Sequence, residues 1–533
     1  MGSITTGSLA AALAGALIAA TPALAQKSGG TLRIYHRDTP ASASIHEEAT
    51  ISVNQPFMAI FNNLVMFDPK EKVNSPDKLI GELATSWSWN ADKTALTFKL
   101  REGVKWHDGK PFTSADVACT WNQLTGKDKS EGALRKNPRK VWYQNLKEVK
   151  VNGPHEATFV LEHPQTSILA MLAGGYSPVY PCHVNAAGMR TKPVGTGPFK
   201  FVEFKRNESI KVVKNADYWD KGKPYLDAIE WKIIENRSTR VLAFVAGQFD
   251  MTFDSDISFP LLKDVKAQAP TAVCEARPTN VSTNLIVNRD VAPFDNADLR
   301  KAMMLAIDRK AFVDIISQGN DQIGAAMLPA PSGVWSMSDA ALKTMPGYSP
   351  DVPANIAEAR KIMEKLGYSD AKPLRIKVST RNIAVYRDPA VILIDQLKKI
   401  HVEAELDAID TSVWHAKVAR KDYTVGLNLT GIGVDDPDVV FYENYSCGSE
   451  RNYTNYCNKD VDALIHAQSR EADVAKRKAI IVEIERKLIE DGARPIISHG
   501  VANTCMQPYV KGLVLQHNSI YNGWRFDGVW LDR

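Results

Sequence analysis

The chain has 533 residues, 44% of them hydrophobic and 24% charged; that is ordinary for a globular protein and too long for one hydrophobic core, so two or more lobes are expected. Its 65 Lys+Arg against 61 Asp+Glu leave a formal charge of +4 without any block of like charge, so the concentrated basic face needed for nucleic-acid binding is missing. No run of about 18 apolar residues follows the first 25 positions, so the mature protein is not expected to span a membrane.

In chain order, residues 1–25 stand apart. They carry no charge, hold the apolar stretch Leu9–Ala20 and end on Ala23-Leu24-Ala25, the small-x-small pattern read by signal peptidase. Export to the periplasm with cleavage near Ala25 is expected, although Met1–Ser8 lacks the usual Lys or Arg. Next, Leu32, Ile34 and His36 alternate with polar residues and predict a strand before a Pro/Ala/Ser-rich loop. Leu96, Phe98 and Leu100 predict another, turned by Arg101-Glu102-Gly103 into a hairpin partner through Val104 and Trp106. Thr113–Leu124 predicts a helix with Thr113 as N-cap and Asp116 three residues on. Strands are expected at 157–161, 210–213 and 228–234.

Beyond about residue 290, helices alternate with strands. Leu299, Met303, Ala306 and Ile307 keep helical spacing behind Asp295 and Asn296 as caps; Ile356, Ala359, Met363 and Leu366 form a second apolar face, stopped by Gly367. Arg375–Ser379, Ala390–Ile400 and Val402–Leu406 read as strand, helix and strand, a unit that builds parallel or mixed sheets. One or two amphipathic helices fill 461–489. From about Ala502 the chain returns to the aromatic, turn-rich style of its first half, which points to a discontinuous lobe with the middle of the chain inserted into it.

The six cysteines fit an oxidising compartment. Cys447 and Cys457 flank a polar, Tyr/Asn-rich segment with little core of its own, where a disulfide would remove unfolded-chain entropy worth roughly 3 kcal/mol. Cys119, Cys182, Cys274 and Cys505 could pair or stay buried, and spacing does not decide between these.

Motifs with a chemical look have bland readings. His107 and Asp108 are adjacent, so on a strand they point to opposite faces, and a turn before a capped helix is expected instead of a dyad. Gly195-Thr196-Gly197 lacks the third Gly or the Lys of a nucleotide loop. His46-Glu47-Glu48 lacks the second His of a zinc helix, and the eleven His are scattered, so neither a metal nor a cofactor is expected. No GxSxG elbow or paired-carboxylate motif supports hydrolysis, and no enzymatic activity is expected.

Five stretches resemble the peptide/nickel family of extracytoplasmic solute-binding proteins of ABC importers, which includes dipeptide- and oligopeptide-binding proteins. They are Leu83–Val117, with its core Trp106-His107-Asp108-Gly109-Lys110-Pro111-Phe112-Thr113, then Val194–Phe204, Asn215–Ile234, Asp298–Val313 and Asp436–Cys457. The resemblance implies an α/β fold: a two-lobed clamp with two hinge crossings and an extra subdomain on the first lobe. Residues 26–286 would form the first lobe, with the subdomain at about 55–190; 287–498 the second; and 499–533 the return, with crossings near Asn284–Asn288 and Pro495–Ala502. The implied role is a monomeric periplasmic receptor that captures a short peptide or peptide-like solute and delivers it to a membrane-embedded permease. The same role for an opine, an oligosaccharide or a metal chelate is the alternative, and an exported hydrolase the more distant one.

Matched to dipeptide-binding relatives, Arg387 falls at or beside their carboxylate-clamping Arg, a role that suits a planar guanidinium in a water-poor cleft. The Asp with which those relatives hold the peptide amino terminus falls near Gly433 here and is absent; Asp435 or Asp436 are the substitutes from a shifted loop. Trp414, Tyr442, Tyr445 and, from the other lobe, Tyr35 are the aromatic candidates for lining the pocket.

Overall fold

Alternating apolar residues organise the first sheet. Thr31–His36 runs parallel to Ala228–Ile233, which is followed by the antiparallel strands Ser209–Lys214 and Phe199–Lys205. Leu32, Ile34, Ile210, Val212, Ile229 and Trp231 are buried. These positions come from a computed structural model that describes Gly2, residues 26–128, Ser130 and residues 132–533. The expected signal segment, Gly2 apart, therefore lies outside the described residues.

A second sheet is antiparallel throughout, in the order Ala84–Trp89, Ala95–Leu100, Glu156–Leu161, Leu146–Val151. The helix Ser114–Leu124 packs on it. Its start is the expected capping box: the Asp116 carboxylate accepts from the Thr113 backbone N–H at 3.0 Å. The hairpin expected after Leu100 is not formed. Val104–Phe112 instead closes a tight turn of its own, with Trp106 N–H donating to Lys110 O and Phe112 N–H to Val104 O. The partners of Ala95–Leu100 are the strands before it and much later in the chain. Turn residues mark where a chain reverses but not which strand it then meets.

The third sheet has five strands in the order Val402–Ile409, Leu374–Arg381, Val425–Gly431, Val273–Val287, Ile496–Met506. The first three run parallel, joined by the predicted strand–helix–strand unit. Its helix is Ala384–Lys398, starting six residues before the expected Ala390 and running through Pro389. A proline that near a helix N-terminus removes a single backbone donor, so it does not mark the boundary. The helices Ala297–Leu305, Val352–Lys365, Lys459–Arg470 and Val474–Glu490 follow the apolar spacing, and Asn296, Asp351, Asn458 and Asp473 cap them through their side chains.

Two apolar cores underlie a two-lobed molecule. One cluster joins Leu32 and Ile34 with Phe98, Phe159 and the chain end at Phe526 and Leu531, so both termini of the described fold share it. Another gathers Leu285, Val287, Leu299, Met303, Val378, Leu393, Val402 and Ile497 around the third sheet. The long strands Val273–Val287 and Ile496–Met506 run antiparallel between the two regions. Their register slips between Pro278 and Ser282, where Asn280 takes a left-handed φ of 52°; this irregularity precedes the expected Asn284–Asn288 crossing. A bulge of this kind bends a strand without ending it.

Three disulfides are present: Cys447–Cys457, as expected, plus Cys119–Cys182 and Cys274–Cys505, which the sequence left open. Cys274 and Cys505 sit directly opposite each other on the two long strands.

Candidate functional site

A cavity of about 360 Å³ lies where the elements of the two cores meet. One wall comes from the loop after the first strand (Arg37, Thr50, Ile51), from Ser255–Pro260 and from the C-terminal Ile520 and Tyr521. The facing wall is Ile315–Ser317, Asp321, Arg381, Tyr386 and Pro389, and the long strands supply Thr279, Val281, Thr283 and Gly500–Ala502. The surface is mainly apolar with hydroxyls between, as in pockets for small organic solutes.

Six Arg, Asp or His residues line it, and four are spoken for. The buried Arg381 reaches across from the third sheet to the Asp38 carboxylate, and donates to Ser52 Oγ at 2.9 Å and Thr411 Oγ1 at 2.8 Å. Thr411 Oγ1 in turn donates to Asp38 at 2.7 Å, and Arg381 holds the Asp38 carboxyl well below the usual range against its burial. Arg237 pairs with Asp388 at 3.0 Å, again joining the two walls. His415 is held neutral, its pKa pushed down by burial and by the cations around it.

The remaining two have no ionic partner. Arg37 is only 5% exposed, and among the described residues it has neither an ion pair nor a hydrogen bond; Phe253 lies 4.9 Å under its guanidinium. Burial pulls its pKa down, against the attraction of Asp38. An uncompensated buried charge costs several kcal/mol, so its retention at a cavity wall has a functional reading. Asp321 accepts Val501 N–H at 2.9 Å and Ser498 Oγ at 3.3 Å, and burial pushes its pKa up to about 6.

None of the seven residues expected to touch a ligand lines this cavity. Arg387 stands in the first turn of its helix on the exposed side and donates to Asn382 Oδ1 at 3.1 Å. Trp414 is fully buried against Ile286, Val418, Tyr423 and Tyr453, its indole donating to Asn428. Asp436 caps the helix Pro437–Asn444 and is held by Arg477 at 2.8 Å. Asp435 is half-buried beside it with a buried, unpartnered Oδ1, and desolvation next to Asp436 pushes its pKa up to about 7. Tyr442 reaches His466 at 3.4 Å, Tyr445 ends the same helix, and Tyr35 packs edge-on to Phe249 behind the first sheet. The structure thus gathers Asp435, Asp436, Tyr442 and Tyr445 on one loop and helix, and scatters Arg387, Trp414 and Tyr35.

Arg37 and Asp321 escaped the sequence reading because each is a lone charge in a loop. The available signal for Arg37 was His36-Arg37-Asp38, three polar residues straight after an apolar alternation. The remaining motifs are structural, as read. His107 is bracketed by the backbone of Gly195 and Gly197, and its pKa is lowered to about 4 by burial. A methyl on Gly195 would stand 1.9 Å from Ile60 O, which is why this GxG carries glycines without a phosphate to hold. His46 donates its Nε2–H to Pro178 O at 2.9 Å while stacked on Tyr180. Among the described residues no group of three or more His, Cys, Asp or Glu is placed to hold a metal ion, and no helix is long and apolar enough to cross a membrane.

Comparison with known proteins agrees with this architecture. Heme-binding protein A of Haemophilus influenzae is 25% identical over 498 residues, covering 87% of this chain and 86% of that protein. The dipeptide-binding protein DppE of Bacillus subtilis is 25% identical over 475 residues, covering 81% of each. The crystal structure of Haemophilus influenzae OppA in complex with RPPGFSPFR superposes with a TM-score of 0.84 over 95% of this chain and all of that one, at 20% identity, and so shares the fold. Residues 78–452 match the model of the bacterial extracellular solute-binding proteins, family 5 Middle, and the chain belongs to that family.

Proposed function

We propose that the protein is a periplasmic, non-enzymatic receptor of an ABC importer that encloses a short peptide or peptide-like solute between its lobes and presents it to a membrane permease. In this reading residues 26–286 and 499–533 form one jaw and 287–498 the other; the core shared by Leu32 and Leu531 supports joining both chain ends in one jaw, although Phe441, Ile481 and Ile484 from the other range pack in that same core. Family membership supports the receptor role. One observation carries the ligand: a buried guanidinium without a partner, Arg37, on the wall of an apolar cavity. A carboxylate-bearing solute would supply the missing charge, which favours a peptide or an opine over a neutral oligosaccharide. A micromolar dissociation constant needs only about −8 kcal/mol, within reach of one desolvated ion pair plus enclosed apolar surface.

Native mass spectrometry of freshly purified protein tests this directly. A retained solute carrying a carboxylate is expected, and Arg37→Ala should weaken its binding by about tenfold or more. Retention of a neutral solute, or undiminished affinity in Arg37→Ala, removes the assignment.

A further inference from the structure

Three helix ends bring five apolar side chains to the cavity wall. The helix Phe259–Gln268 starts there with Phe259, Arg309–Ser317 ends there with Ile315 and Ile316, and Ala384–Lys398 presents Val385 and Ile392 from its first half. Arg309–Ser317 touches both of the other helices. Each helix is anchored through a different residue, since Val265, Phe312 and Leu393 are buried in the two cores. Phe259, Ile315, Ile316 and Val385 belong to none of the apolar clusters among the described residues, and Ile315 is 59% exposed. The polar groups on the same helix ends are mostly engaged. Asp388 pairs with Arg237, Ser317 Oγ donates to Val313 O at 2.9 Å, and the Tyr386 hydroxyl donates to Leu429 O at 3.2 Å, which leaves the Ser258 hydroxyl. The other cavity hydroxyls, on Thr50, Ser255, Thr279 and Thr283, are carried by loops and by the long strand Val273–Val287.

We infer that these helix ends form a subsite for a large apolar group, so that the solute carries a side chain of the leucine or phenylalanine class and not a hydroxylated or charged one. The inference rests on the receptor reading above and narrows its substrate class: among carboxylate-bearing solutes it selects a peptide with an apolar side chain over a sugar-derived opine. Apolar surface left in water is unfavourable in proportion to its area, and a solute group that covers it gains about fourfold in affinity per buried methylene. A hydroxyl or carboxylate in the same place loses its water and finds few donors, because the polar groups around it are already bonded within the protein. At about 360 Å³ the cavity is small for one that encloses an organic solute, so the ligand is short and a large share of its surface meets this wall.

The test uses the full protein and free di- and tripeptides in pairs that differ at one residue, Leu or Phe against Ser or Asp, with each position varied in turn. Affinities are read by isothermal calorimetry for the wild type and for the double variant Ile315→Thr with Val385→Thr. Val385→Thr exchanges a methyl for a hydroxyl at constant shape, and Ile315→Thr shortens an exposed side chain, so the ligand-free thermal midpoint should be kept. The wild type should prefer the Leu or Phe member at one position by about tenfold or more. The double variant should bind that member several-fold more weakly and its Ser counterpart as well as before, a split that a merely structural role would not produce. Equal or reversed affinities in every wild-type pair, or a variant that weakens both members alike, overturn the inference while leaving the receptor standing. Binding of none of the peptides overturns the peptide reading itself and this inference with it.

Discussion

At the scale of single residues, the molecule tolerates one costly arrangement. Most of its buried arginines are satisfied: Arg240 is clamped by both oxygens of Asp256, Arg277 by Asp254, Arg525 by Glu82, all at 2.6–3.1 Å. Arg37 is the contrast. Replacing an unpaired buried charge with an apolar side chain of similar length removes its desolvation cost. Arg37→Met is therefore expected to raise the thermal midpoint of ligand-free protein by a few degrees while abolishing stabilisation by the native solute; differential scanning calorimetry with and without that solute reads both. A lower midpoint in the ligand-free state would show that Arg37 is braced by its surroundings after all. Such trade-offs between stability and binding are common at sites kept ready for a ligand. Their signature is burial without a partner, which no local sequence pattern encodes, so Arg37 and Asp321 came from the structure alone. Arg387 illustrates the complement. Its helix begins at Ala384, early enough to turn Arg387 outward, and Pro389 hid that start.

Among secondary-structure elements, legibility followed locality. Asn296, Thr113 with Asp116, and Gly367 bracket helices that the apolar spacing had already drawn, because caps and periodicity act over a few residues. Strand partnership is non-local, and the hairpin expected after Leu100 failed for that reason. One helix makes a further connection that spacing cannot reveal. Glu485 of Val474–Glu490 accepts the backbone N–H of Met327 at 2.8 Å and of Met337 at 2.7 Å, pinning the intervening loop. Burial pushes its pKa up to about 7, outweighing the backbone donors and the attraction of Lys478. Below the unfolded value of about 4.5 the group is protonated in both states and adds no pH dependence. Between there and about 7 the folded state keeps a proton that the unfolded chain releases, so stability falls as pH rises; above about 7 the loss is complete. Glu485→Gln should flatten part of that slope, by an amount on the order of 3 kcal/mol between pH 4.5 and 8, in urea titrations. An unchanged slope would mean that the carboxyl titrates normally. Asp435 and Asp321, raised in the same direction, keep part of the slope in the variant.

For the whole molecule, the question is what holds the two halves together. Beside the cavity, direct bridges include the Asp38–Arg381–Thr411–Ser52 cluster and the Arg237–Asp388 pair; elsewhere Gln165 and Ser167 donate to Asp438, and the Asn137 backbone N–H donates to Glu450. Asp38→Asn would leave the Arg381 guanidinium buried without its counter-charge, a change that costs about 3–5 kcal/mol in buried pairs. Opening the lobes to water is the cheapest relief. Small-angle scattering of the ligand-free variant should thus show a larger radius of gyration than the wild type, with the difference shrinking when ligand is bound. Identical scattering curves would show that this cluster does not govern closure.

The disulfide between Cys274 and Cys505 lies on one side of the Pro278–Ser282 irregularity, near the ends of both long strands. Like a rivet set beside a fold in sheet metal, it fixes how far one ribbon has advanced along the other but does not reach the crease. A slip by a single residue would turn every side chain on those ribbons to its opposite face and dismantle Thr279, Val281 and Thr283 as cavity floor. The bridge therefore holds the two long strands in a single register, and with it the alignment of the cavity floor they supply.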